Sequence, residues 1–423
     1  MVYLPPFSLT LVVGVIAMVF VVIRPREGFF LLLAALYYPL LPNIPFGSLE
    51  ISITSILAFG LFLGALNLQR QDPFLRLARW QAALLAALAI VFLLSVLFSD
   101  SFDDSIRVAP NLISYWIVLY VAMVLVRSTE QLWLIARLIL VLGFILSIWR
   151  DELAPLRIAL HLPNLGLNGA VFVFHSPVAI ALVTVIMLQK KFVSRFWRIF
   201  AWLALFSMIY HGLFYQTRAG WLVWIVMALV LVLQARWRER VILVAGAIGV
   251  FLMGLFLFAN VISTNLAQTE VTVKAFVGAT TYAPVSSDDL IRLVARDAGL
   301  RMFYARPVFG WGPDAYVRLK PEFLTYFGKE SLLPGAFNSW LILLAEQGIV
   351  GTAVAAAVFL LPVLLSWKAI RKVRNPTTIL AFGFALGVLG ISIHLLFIDL
   401  MYSFAWAHAG LALASARLAL DSN

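Results

Sequence analysis

The chain has 423 residues, 63% of them hydrophobic and 12% charged, with a mean hydropathy of +1.00. A soluble globular protein carries roughly 45 to 50% apolar residues, so a water-soluble enzyme is excluded. Zero cysteines remove disulfides, thiolate metal sites and Cys nucleophiles, and the net charge of +11 lies in short clusters between apolar runs, which excludes a nucleic-acid stripe.

A spanning helix needs about 20 mostly apolar residues. Such runs fall at 7–23, 28–42, 51–68, 81–98, 112–126, 132–149, 171–188, 199–216, 220–235, 241–260, 342–367, 379–396 and 403–419. Two of them, 28–42 and 112–126, are short. The expectation is an all-α polytopic membrane protein with about 12 (12–13) transmembrane helices. The first run has no basic stretch before it and no small-residue cleavage site after it, so it reads as a permanent span.

Arg24/Arg26, Arg70/Arg76/Arg79, Lys190/Lys191/Arg195/Arg198, Arg236/Arg238/Arg240 and Lys368/Arg371/Lys372/Arg374 occupy alternate connections, as cytoplasmic loops do under the positive-inside rule. The other connections then face outward: SDSFDD at 99–104, the stretch 150–170, the tight TRAG at 217–220 and a long hydrophilic segment from 261 to 337. The chain thus divides into a transmembrane helix bundle (1–260), a large outward loop subdomain with helices (261–337) and C-terminal transmembrane helices (338–423). The spans show no internal repeat, which weighs against a secondary transporter.

A loop of that length is too long to be a connector, so chemistry is sought there. Ser287, Asp288 and Asp289 start a helix that Pro307 ends. At 100° per residue Arg292, Arg296 and Arg306 lie within about 80° of one another, with Arg301 opposite. Two readings stay open. Asp288 with Arg292 and Asp297 with Arg301 fit i,i+4 ion pairs on a solvated helix, while the clustered guanidiniums fit a clamp on phosphate oxygens. Next comes VFGWGPDAY at 308–316, a glycine-rich turn in an aromatic setting.

Several polar groups stand among the spans. Arg218, at the outer end of a run and without basic neighbours, needs an anionic partner, a protein carboxylate or a lipid phosphate. Arg137, Glu346 and Asp399 are ionisable groups near hydrocarbon, which point to function by default, with buried ion pairing the alternative reading. His161, His175, His211, His394 and His408 form no HExxH or HxH pattern, so no metal is expected. His175 and His211 fit core histidines, with His175 also a candidate for substrate contact.

TRAGW after a span, an arginine-rich loop helix running into RPVFGWGPDAY, and then N-S-W-L-x-x-L-x-E-Q-G-x-x-G resemble the O-antigen ligase and O-antigen polymerase superfamily over 217–351. The resemblance implies a metal-independent inverting glycosyltransferase of the inner membrane, with its active site facing the periplasm and no cofactor. It would transfer or polymerise oligosaccharide from an undecaprenyl-diphosphate-linked donor onto a glycan or lipid A core acceptor, among membrane lipids and without nucleic acid. Arg218, Arg292 and Glu346 would be catalytic; Arg296, Arg306, Asn338 and His175 would bind substrate. Two departures stand out: Phe337 replaces the family's histidine before Asn338, and Arg296 replaces the tryptophan of R-x-x-x-W. Loss of that histidine shifts weight from ligase to polymerase. The alternative is a lipid-linked oligosaccharide flippase or transporter, which would use the same arginines without changing glycan length.

Overall fold

The computed structural model describes residues 7–37, 43–46, 49–72, 76–149, 173–188, 191–214, 218–249, 252, 287–324, 338–398 and 403–422. The apolar runs become helices: α1 (Phe7–Ile23), α2 (Pro25–Tyr37), α3 (Ile53–Gln71), α4 (Arg79–Leu97), α5 (Phe102–Leu125), α6 (Thr129–Trp149), α7 (His175–Leu182, continued by a π turn at Val183–Met187), α8 (Arg195–Phe214), α9 (Arg218–Gln234) and α10 (237–249). Two loop helices follow, α11 (Ser287–Ala305) and α12 (Ala315–Phe323), and then α13 (Ser339–Lys372), α14 (Pro376–His394) and α15 (Ser403–Asp421).

Six helices are long and apolar enough to cross a membrane among the described residues: α3, α4, α5, Thr129–Ile148 of α6, α13 and α14. That is fewer than the twelve or so expected. Part of the difference is length, since α1, α2 and α9 hold only 17, 13 and 17 residues. A second departure from the all-α expectation is an antiparallel hairpin, β1 (Asn43–Phe46) paired with β2 (Leu49–Ser52), Phe46 opposite Leu49. A third is the start of α5, ten residues before the expected 112. The Ser101 hydroxyl caps it by accepting from Asp104 N at 3.4 Å, and Asp103 and Asp104 occupy the first turn, where carboxylates complement the helix dipole.

The core lies among α14, α15, α5, α7 and α13, where α14 and α15 bury nearly every side chain. Outward faces are apolar instead of charged: Ile16, Leu93, Phe206, Ile225 and Leu364 each stand more than half exposed. Water would oppose that arrangement and lipid tails accept it.

The molecule has two unlike ends. At one, the α5–α6 connection meets the α13–α14 connection through a 2.6 Å bond between the Thr129 and Thr377 hydroxyls, and Arg374 pairs with Glu239 at 2.6 Å. Arg26, Arg76 and Arg127 gather around one cavity there, and Arg198, Arg236 and Arg374 around another. At the other end, α11 and α12 pack on the first turns of α13 and on the α4–α5 turn, with a second small core of Met302, Ala315, Tyr316, Leu319, Leu341 and Ala345. Basic clusters at one end and the loop helices at the other follow the alternation read from the sequence.

Candidate active site

The loop end is held by a knot of backbone bonds. After Pro307 the chain turns through Gly310 (φ 71°) and Gly312 (φ 98°), and α13 breaks its helical path at Gly348 (φ 62°, ψ −167°). These are positive-φ conformations that favour glycine. The two breaks interlock. Trp311 N donates to Ala345 O (3.0 Å), Gly312 N to Glu346 O (2.9 Å), Ile349 N to Pro307 O (2.8 Å) and Val350 N to Val308 O (3.3 Å). The kink in α13 frees those carbonyls and amides from helical bonding, and the turn takes them up. A Cβ on Gly310 would collide with the Glu346 backbone, and one on Gly348 with Val308 O.

The α4–α5 turn completes the knot. Asp100 N donates to Trp311 O at 3.1 Å, and a Cβ on Gly312 would strike Ser99. Arg318 of α12 grips Asp100 with two bonds of 2.9 and 2.7 Å, and its Nε lies 3.3 Å from Asp104. The bond to Asp100 holds the Arg318 guanidinium above its ordinary pKa. The sequence marked SDSFDD only as an outward stretch; its arginine partner, more than two hundred positions away, left no local signal.

Glu346 and Asn338 act on helix ends. Tyr316 N, in the first turn of α12, donates to Glu346 Oε1 at 3.2 Å, so a carboxyl oxygen from α13 caps the start of the loop helix. Asn338 caps α13 itself by accepting from Leu341 N at 3.0 Å. Ser339 anchors that end to α14, its N–H donating to Leu395 O and its hydroxyl to Ile398 O.

On this frame sits α11. Ala295, Ala298 and Met302 are buried, Tyr316 Oη donates to Ala295 O at 2.8 Å, and Gly299 gives room to Leu341 and Tyr316. Arg292 and Arg296 are half-buried and share that inward face by their i, i+3 and i+4 spacing to Ala295, Gly299 and Met302. Arg301 points away and pairs with Asp297 at 2.7 Å, so the solvated-pair reading holds for that couple. The expected grouping changes at Arg306, which lies past the helix end at Ala305 and stacks its guanidinium 4.1 Å over Trp311.

Arg218 opens α9, its side chain outside the described residues, as are that of Asp288 and all of His161, Phe337 and Asp399. His175, a candidate both for a core histidine and for substrate contact, stands inside the bundle. It is fully buried at the start of α7; Trp224 Nε1 donates to its Nδ1 (3.1 Å), which leaves the proton on Nε2, 2.6 Å from His394 Nδ1. Both ring nitrogens are used within the bundle. The pairing joins α7, α9 and α14, and nothing in the sequence signalled it. His408 is likewise a core residue, between Phe404 O (2.9 Å) and the Tyr37 hydroxyl (3.1 Å). Arg137 is stacked between Trp133 and Trp197, 4.9 and 5.1 Å from their centroids, with no ion pair among the described residues.

Residues 203–356 match the family model described as O-antigen ligase. The match begins within α8 and runs through α9, the loop helices and the kink of α13, so it contains Arg218, Arg292, Arg296, Arg306, Asn338 and Glu346. His175 lies outside it. No curated protein matches the chain.

Proposed function

Proceeding from the O-antigen ligase family assignment that residues 203–356 support, we propose that this multi-pass membrane protein is an inverting glycosyltransferase that needs no metal and works on the periplasmic side of the inner membrane. Its donor is an oligosaccharide on undecaprenyl diphosphate, and its acceptor a sugar hydroxyl of a second glycan or of lipid A core. The observation that carries this reading is the pair Arg292 and Arg296, half-buried on the inward face of a loop helix whose seat is fixed by the glycine knot.

In the reaction the acceptor oxygen bonds to the anomeric carbon from the face opposite the diphosphate. The bond from that carbon to the phosphate oxygen breaks, and its electron pair leaves with the diphosphate. The growing negative charge is met by guanidiniums, Arg292 first and Arg218 with it, while Arg296 and Arg306 hold the phosphates at the rim. A carbocation-like transition state needs little help from a base, so the hydroxyl proton passes to a carboxylate or to water. Glu346 supports the site by fixing α12, and Asn338 by fixing the start of α13.

The test is to incubate purified protein in liposomes with an undecaprenyl-diphosphate oligosaccharide, alone and with lipid A core, and to resolve the products by gel. A ladder from donor alone identifies a polymerase, and product only with core a ligase. Glycan crossing the bilayer with no bond made would overturn the enzyme.

A further inference from the structure

At the end away from the loop helices a cavity of about 490 Å³ opens between the α2 start, the α3–α4 connection, the α5–α6 connection and the end of α15. Arg26, Arg76, Arg127 and Arg417 line it, against two acids, Asp72 and Asp421. Arg417 is 6% exposed: Nη2 donates to Val126 O at 2.9 Å, and Nη1 is buried with no hydrogen-bond partner among the described residues. Arg127 is braced by its own neighbourhood, Nε donating to Val124 O (2.6 Å) and Nη1 to Arg76 O (3.1 Å), which holds its guanidinium fixed at the cavity wall. Burial, and after it the like charge of Arg417, pull Arg127 down to about 10. Four guanidiniums drawn together at a cost in repulsion, Arg417 buried and Arg127 half-buried, call for an anion in the space between them.

We propose that this cavity is a phosphate-binding site, separate from the transfer site at the other end of the bundle. Arginine forks match phosphate oxygens in pairs, and two acids against four cations leave the site short of two negative charges. Trp80 and Leu77 on the same wall give an apolar and interfacial flank, as beside a lipid headgroup. The phosphate comes from an anionic phospholipid of the surrounding leaflet or from a soluble phosphate.

The full-length protein, stripped of lipid in detergent, is titrated by native mass spectrometry and thermal unfolding with phosphatidylglycerol, with phosphatidylcholine and with inorganic phosphate. Phosphatidylglycerol is expected to bind and to raise the melting temperature, and phosphatidylcholine to do neither. The double variant Arg26→Gln/Arg76→Gln, whose exposed side chains leave the packing intact, should lose about tenfold in affinity at near-unchanged melting temperature without ligand. If inorganic phosphate gives the same stabilisation and phosphatidylglycerol adds nothing, the site stands and its ligand is soluble. Equal binding of both lipids with no response to phosphate, or an unchanged affinity in the double variant, overturns the proposal. Glycan transfer is not read in this experiment, so its outcome is independent of the transferase assignment.

Discussion

The turn at 307–313 and the helix at 287–305 are neighbours in sequence and in space, yet they are held by different means and carry different work. The turn is fixed by backbone bonds to the α13 kink and contributes almost no side-chain chemistry beyond Trp311. The helix rests on that frame through apolar contacts and carries Arg292 and Arg296, half-buried, on the same inward face. The glycines hold the architecture, and the arginines are the groups proposed for the chemistry, so substitutions should separate the two.

The largest effect is expected in the frame. Gly348→Ala forces a side chain into a backbone conformation reserved for glycine and against Val308 O, at a cost of about 3 kcal/mol or more. The variant should be poorly recovered from membranes and melt well below the parent protein. A Gly348→Ala protein with parental melting temperature would show that the knot does not hold the loop end.

Next comes the arginine face. Arg292→Ala should cut transfer about a hundredfold, the usual effect of losing one donor to a developing oxyanion, and leave the melting temperature within a degree or two. Lysine at 292 should restore part of the rate, since it returns the charge without the fork. Full activity in Arg292→Ala would remove this side chain from the transition state.

Glu346 lies between these cases. Glu346→Ala leaves the Tyr316 amide without its acceptor, a loss of about 1 kcal/mol. Glu346→Gln still offers an oxygen to that amide and should keep both stability and activity. Loss of transfer in a stable Glu346→Gln protein would instead give the carboxylate a part in the chemistry.

The sequence made the helices legible because lipid demands long apolar runs, and nearly every run reappears within a few residues of its expected bounds. The hairpin was missed although Ile44, Phe46, Leu49 and Ile51 alternate around Gly47-Ser48, a two-residue turn signal. Its two four-residue arms are overshadowed by the apolar runs on either side. The α5 start was misplaced because an acidic stretch reads as loop, when Ser101 made it a capped first turn. For the site, helical spacing was enough to group Arg292 with Arg296. It failed for Arg306, which a 100° projection keeps on the helix though α11 ends one residue earlier. The contacts of Glu346 with Tyr316, Arg318 with Asp100 and His175 with His394 join residues 30, 218 and 219 positions apart, and such pairings depend on how helices pack and not on any local pattern.

The smallest expected effect tests the rim of the frame by pH. Asp314 precedes α12 in the left-handed region at φ 65°, and its carboxyl is raised above the ordinary aspartate range, by burial first and by Asp104 as well, with Arg318 opposing. The folded protein thus holds this proton more tightly than the unfolded chain. The contribution of Asp314 to stability is greatest below the ordinary aspartate pKa and declines as pH rises from there through the raised value. Asparagine tolerates the left-handed conformation and carries no charge to bury. Asp314→Asn should therefore match the parent in acid and gain slightly on it between about pH 4 and pH 7, seen as a widening gap in melting temperature. A gap that stays constant across that range would mean the ionised carboxylate is as well accommodated as the neutral one, with the attraction of Arg318 fully offsetting burial.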